Sequence, residues 1–379
     1  MLAYSEPQQL ALDTIARKPT TGIPSWLIHV MDIPLIEEVA GVPAGTYLQE
    51  PQETYILFQQ KVGTNLLDQF IPDNPLTMTG KGYDSRKARG PTTGQERIEL
   101  DGILIDSPEA VVEHLKKIVF PRLEKAIREF DVAKRCQEII EKERNIQSLL
   151  GPDILKSGYG FIAFPCFRYT LYGYQNYFMA YALYPEVIEK DFQLQADWAE
   201  CHNQAAARAI IEGDLPRLHR LDHDMADSRG TLVDFRTLKE RWLPHFERAL
   251  RPVKTIPGMN LIWHCDGNLM AMLPALIECG VKGFQGFQYE DGMDYEKICR
   301  MKTKDGEPLL IIAGVSVTRT LAYGTPEQVK QELAYLVENG PPVGLFLGAS
   351  SSIAPGTRRE NILTLIEGLR YYRTNGRKK

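Results

Sequence analysis

Three reactive side chains stand together in His264-Cys265-Asp266, at the end of the apolar run Asn260-Leu261-Ile262-Trp263. An imidazole, a thiol and a carboxylate can bind a metal ion or move a proton. The run before them is too short for a buried helix and reads as the last part of a buried strand, with Gly267-Asn268 turning away toward a helix over 269–279. In parallel α/β proteins the C-terminal ends of strands carry the chemistry. His264, Cys265 and Asp266 are therefore candidate metal ligands, with His264 and Asp266 also catalytic candidates. Strand alternation turns Cys265 away from the other two and makes it the weaker ligand.

A second acidic group, Asp222, His223, Asp224 and Asp227, ends another strand-like stretch at 214–224. Carboxylates bunched in this way need a cation, hydrogen bonds or solvent. Asp224 is taken as catalytic, as a further ligand or general acid, with Asp222 beside it. His29, at the end of the strand-like Pro24–Val30, reads either as a hydrogen-bonded core histidine or as a substrate contact. Asp73, just past the stretch 65–73, is a second candidate contact. Phe164, Phe167, Tyr169 and Tyr172 belong to the densest aromatic patch, read either as core or as the wall of a pocket for a flat substrate. Ser351, within Ser350-Ser351-Ser352, caps a helix or holds an anion.

Eight strand-like runs position these groups, at 24–30, 65–73, 158–165, 214–224, 260–264, 280–287, 308–315 and 344–348, with helical patterns between most of them. Alternating strands and helices in eight units predict a closed (β/α)8 TIM barrel. One domain over 1–379 is expected, with its core over 24–375 and a helical extension in front. The segment 76–106, rich in Gly, Thr, Arg and Lys, reads as an inserted loop or small hairpin. The pattern over 107–150 predicts two helices, interrupted at Phe120-Pro121. No GxGxxG turn follows the first strand, which weighs against a dinucleotide-binding open sheet.

The chain is 44% hydrophobic and 25% charged, with a formal net charge of −5. Such an acidic balance argues against nucleic acid as the main partner. No apolar run approaches the roughly 18 residues of a membrane span. With no basic-apolar leader pattern at the N-terminus, a cytoplasmic location is expected. The six cysteines lie far apart without a CxxC pair, so neither a disulfide framework nor an all-cysteine zinc site is indicated.

His264-Cys265-Asp266-Gly267-Asn268, then Gly314-Val315 with Gly324-Thr325-Pro326-Glu327, and Ser351-Ser352-Ile353-Ala354-Pro355-Gly356-Thr357 with Glu360-Asn361-Ile362, resemble in that order the uroporphyrinogen decarboxylase superfamily. The resemblance covers residues 155–375 and also takes in Leu221–Gly230 and the helix start Tyr184-Pro185-Glu186. It implies a TIM barrel and either a decarboxylase or a cobamide-dependent methyltransferase. The Arg-rich N-terminal segment that holds a porphyrinogen's carboxylates is replaced here by Pro24-Ser25-Trp26-Leu27-Ile28-His29-Val30-Met31-Asp32. The thiol-methylating branch binds zinc through His-x-Cys and a distant Cys; this chain has His264-x-Asp266, and Ser351 falls where the later Cys would be.

Imidazole and carboxylates make a harder, more Lewis-acidic site, suited to polarising an oxygen. The resemblance therefore implies the methyltransferase component of a corrinoid-dependent demethylating system. It would take methyl from an O-methyl donor, an aryl methyl ether fitting the aromatic patch, with zinc as the expected metal. The chain lacks an Asp-x-His-x-x-Gly motif, so the corrinoid is expected on a separate protein. The alternatives are a cofactor-free decarboxylase of a smaller substrate, using Asp73 or Asp224, and a non-catalytic corrinoid-protein or metal-binding partner.

Overall fold

The computed structural model describes residues 4–77 and 97–377. Its centre is a ring of parallel strands. Six run in the spatial order Leu345–Ala349, Leu310–Val315, Val281–Gln285, Asn260–His264, Leu218–Asp222 and Gly158–Tyr159. The ring closes through shorter pairings: Leu155–Lys156 lies beside Leu66–Leu67, Leu66 bridges Trp26, and Ser25 bridges Leu347. Counted along the chain, these are the eight strands expected from the apolar runs, and the fold is the (β/α)8 barrel. Every residue from Asn260 to His264 and from Leu310 to Val315 is buried, as strands enclosed by a lumen and a helical layer require.

Alternation sorts the side chains. Trp263 packs outward against Trp242 and Phe246 of the helical layer, with ring centroids 6.0 and 5.4 Å away. His264, next along, therefore faces the lumen. At the opposite end of the barrel, Arg17 plugs the bottom by donating to the Pro308 carbonyl at 2.6 Å and to Asn260 Oδ1 at 2.8 Å.

The helices start where their capping residues predict. Ser107 Oγ accepts from the Ala110 N–H, and Thr325 with Gln328 forms a reciprocal capping box. The expected interruption at Phe120-Pro121 is not there. The helix Pro108–His114 passes through a π turn, Leu115–Val119, directly into Phe120–Arg128. The wider turn absorbs the N–H that Pro121 lacks and the bulk of its ring. The chain instead breaks at Phe130-Asp131, where Asp131 caps Val132–Leu150.

Within the inserted segment, Glu99–Leu100 pairs antiparallel with Ile103–Leu104. The rest of the expected excursion, 78–96, lies outside the described residues. The helix over 269–279 is shorter than its apolar pattern, covering Leu273–Glu278. No helix among the described residues is long and apolar enough to cross a membrane.

Candidate active site

The fourth and fifth strands lie in register, with Asp222 opposite His264. His264 donates from Nδ1 to the Gln285 carbonyl at 3.3 Å, which turns Nε2 to the carboxylates. Asp222, Asp224 and His264 each offer one ligand atom, and these atoms lie within 4.8 Å of one another. Asp224 is held by the backbone N–H of Asp266, which donates to its Oδ1 at 2.9 Å.

Asp222 is anchored from below. Its Oδ2 accepts from Arg220 Nη1 at 2.9 Å and from the Tyr159 hydroxyl at 3.0 Å. Arg220, itself buried, also donates to Asp68 Oδ2 at 2.5 Å and Gln69 Oε1 at 3.1 Å, and its guanidinium lies 4.6 Å from the Tyr159 ring. Trp26 Nε1 completes the set by donating to the other Asp68 oxygen at 3.0 Å. Burial works to raise the Asp222 carboxyl, but the charges of His264 and Arg220 and the Tyr159 hydrogen bond outweigh it, so the group stays below its ordinary value.

Asp266 behaves oppositely. Burial raises its carboxyl, and Asp224 and Asp222 add to the rise against the opposing pull of His264. Its Oδ1 is 3.9 Å from His264 Nε2 and accepts no hydrogen bond among the described residues. The site thus holds one carboxylate kept ionised beside another pushed toward its neutral form, a separation that suits acid-base work.

The sequence candidates divide on this geometry. His264 and Asp224 come together, with Asp222 as the third member of the group. Asp266, expected as a ligand, stands next to that group and not in it. Cys265, the other expected ligand, turns away as alternation dictates: its Sγ takes the Met225 N–H at 3.2 Å and contacts the Asp266 carbonyl at 3.0 Å, and burial pushes the thiol up.

The aromatic patch is mostly core. Phe164 packs between Phe246 and Trp263 in the helical layer. Phe167 is buried among Tyr177, Phe178, Tyr181 and Phe192. The Tyr172 hydroxyl pairs with His114 at 2.9 Å, away from the carboxylates. Tyr169 reaches the site, donating to the Asp224 carbonyl at 3.1 Å and stacking on His223, whose Nε2 accepts from the Phe167 N–H at 2.8 Å and whose ring also meets the Phe167 ring edge-on.

His29 is buried. Its Nε2 takes the Asn74 amide at 2.7 Å, so Nδ1 carries the proton, and that N–H has no acceptor among the described residues. Burial and the nearby Arg220 push the ring down to about 4, so it is neutral near pH 7. Asp73 lies exposed on a turn, which removes the desolvation that proton chemistry would use. Ser351 is half-buried just past the eighth strand; its neighbour Ser350 is the one with a fixed role, its Oγ accepting from the Val317 N–H.

Sequence reasoning missed Arg220, Asp68, Tyr159, Gln69 and Gln285. A signal was present in Leu218-His219-Arg220-Leu221-Asp222, where Arg220 shares a strand face with Asp222 and so must be buried against an acid.

Residues 223–372 match the model of the family "Uroporphyrinogen decarboxylase (URO-D)". That span contains Asp224, His264, Asp266 and Ser351, so the similarity to that family takes in the barrel mouth. Among solved structures, a methyltransferase from Methanosarcina mazei aligns at a TM-score of 0.58 and 16% identity, covering 98% of this chain and 99% of that one. At this identity the likeness establishes the barrel fold. A protein described as a vitamin-B12-independent methionine synthase from Listeria monocytogenes aligns at 0.43 and 14% identity over 93% of this chain and 97% of its own. No curated protein matches the chain.

Proposed function

We propose that the chain is the methyltransferase component of a corrinoid-dependent demethylating system, moving a methyl group from an O-methyl donor to a corrinoid carried by a separate protein. The observation that carries this reading is the grouping of Asp222, Asp224 and His264 at the mouth of the barrel. Three protein ligands of nitrogen and oxygen type, with an open side, suit a catalytic zinc. The orphaned Oδ1 of Asp266 beside them fits as well, because a buried acceptor with no donor calls for a ligand. Zinc held there would supply Lewis-acid stabilisation to the oxygen that loses its methyl group.

The remaining work belongs to the side chains. The Gln285 carbonyl fixes the His264 tautomer and so aims Nε2 at the carboxylates. Arg220 and Tyr159 hold Asp222 in place and ionised. The Asp266 carboxyl, raised by burial, stands 3.9 Å from the imidazole, within reach of the group of three. Tyr169 and His223 give the mouth a flat aromatic edge against which an aryl ether can lie.

Purified protein, given chemically reduced cobalamin as a stand-in for the partner's corrinoid and a panel of methoxylated aromatics, should yield the absorption spectrum of the methylated corrinoid. The signal should vanish in His264→Ala. No spectral change with any donor would overturn the reading.

A further inference from the structure

Arg17 stands one residue past the cap of the first helix, Glu6–Ile15, with φ +54°, a left-handed backbone that glycine adopts without strain. An arginine there is held for its side chain. That side chain is 11% exposed at the floor of the barrel, and it gives three of its five N–H groups to neutral acceptors: the Pro308 carbonyl, Asn260 Oδ1 and, at 3.3 Å, the Lys282 carbonyl. One N–H is left on each terminal nitrogen. The nearest carboxylate among the described residues, Glu307 Oε2, lies 3.7 Å from Nη1, outside hydrogen-bond reach, and its side chain is 54% exposed.

Arg220 shows what full compensation looks like in the same barrel. Two carboxylates touch it, and their charge outweighs burial and raises its guanidinium. At Arg17 burial wins against the pull of Glu307 and lowers the group. A cation so enclosed and so little neutralised favours an anion beside it. The space for one is present: a cavity of about 480 Å3 opens at the floor, within the size range of small-ligand pockets. Arg217 and Lys282 line it together with Arg17, and Leu12 and Ile15 give it an apolar wall. Its two carboxylates, Asp305 and Glu307, are both exposed, so solvent screens them and they can turn outward. Lys282 Nζ meets Asp305 only at 3.5 Å.

We propose that this floor cavity is a binding site for a small phosphate monoester, its oxyanion gripped by the two remaining N–H groups of Arg17 with Lys282 and Arg217, and its organic part lying on Leu12 and Ile15. A guanidinium fork and an ammonium group are the side chains that recognise phosphate. The site is at the opposite end of the barrel from Asp222 and His264, and it stands whether or not the chain transfers methyl groups.

Calorimetry on the full chain, in a phosphate-free buffer at constant ionic strength, measures binding of phenyl phosphate and of inorganic phosphate. Phenyl phosphate should bind with a dissociation constant of about 1 mM or below, and inorganic phosphate more weakly. Lys282→Met should weaken the ester about tenfold, with Lys282→Arg restoring it. Glu307→Gln should tighten it by up to about fivefold, because the competing carboxylate is gone. Binding of neither anion to the wild-type protein would overturn the proposal, whatever the variants' folds do. So would inorganic phosphate binding as tightly as the ester, or binding that survives in Lys282→Met and disappears in His264→Ala, which would put the anion at the mouth.

Discussion

Arg220 is a guanidinium closed inside an apolar barrel, between Asp68 on one side and Asp222 on the other. Removing charge from such an arrangement leaves the rest uncompensated. Asp68→Ala should therefore cost about 3–5 kcal/mol of unfolding free energy in denaturant titration, and should loosen Asp222 by freeing Arg220 to turn. Stability within 1 kcal/mol of wild type would show that Arg220 does not depend on Asp68. This part of the site was hidden in the sequence because Asp68 and Arg220 are 152 positions apart, and nothing local announces a pair that the barrel alone brings together. His264, Asp222 and Asp224 were legible because polar residues ending apolar runs stand out. Asp266 stands beside the group of three because the turn, and not the strand, sets its direction; the turning away of Cys265 followed from strand alternation.

At the scale of elements, the strand ends depend on glycines. Gly286 follows the sixth strand with φ +75°, and a Cβ there would sit 2.7 Å from His264 Nδ1. Gly286→Ala should destabilise the protein by roughly 1–3 kcal/mol through the left-handed backbone and the contact. It should also lower methyl transfer far more than that loss of stability explains, since His264 must move; unchanged activity would show that the imidazole does not need this approach. The eight strands were readable from apolar runs between turn signals, and the helix that starts at Pro108 from its Ser107-Pro108 cap; the break at Asp131 was not foreseen. The π turn was not readable, because Pro121 marks a disturbance in a helix without saying whether the helix ends or widens. The aromatic patch read either as core or as pocket wall because it follows a strand end, and it divides: Phe164 packs in the helical layer and Tyr172 on His114, whereas Phe167 and Tyr169 both meet His223.

For the whole molecule, closure of the ring is what gives the site its composition. Asp68 and Gln69 come from just past the second strand, Tyr159 from the third, Arg220 and Asp222 from the fourth, His264 from the fifth and Gln285 from the sixth. An acidic chain with 25% charged residues thereby concentrates Asp222, Asp224 and Asp266 around one imidazole, an arrangement that a bound cation stabilises. The most direct measurement is the zinc content and zinc affinity of wild type, Asp222→Ala, Asp224→Ala, His264→Ala, Asp266→Ala and Cys265→Ser after dialysis against equal free zinc. The account predicts about one zinc per chain in wild type and Cys265→Ser, retained with at most modest weakening in Asp266→Ala and lost in the other three. Zinc that persists without His264, or that disappears only when Asp266 or Cys265 is replaced, would contradict it.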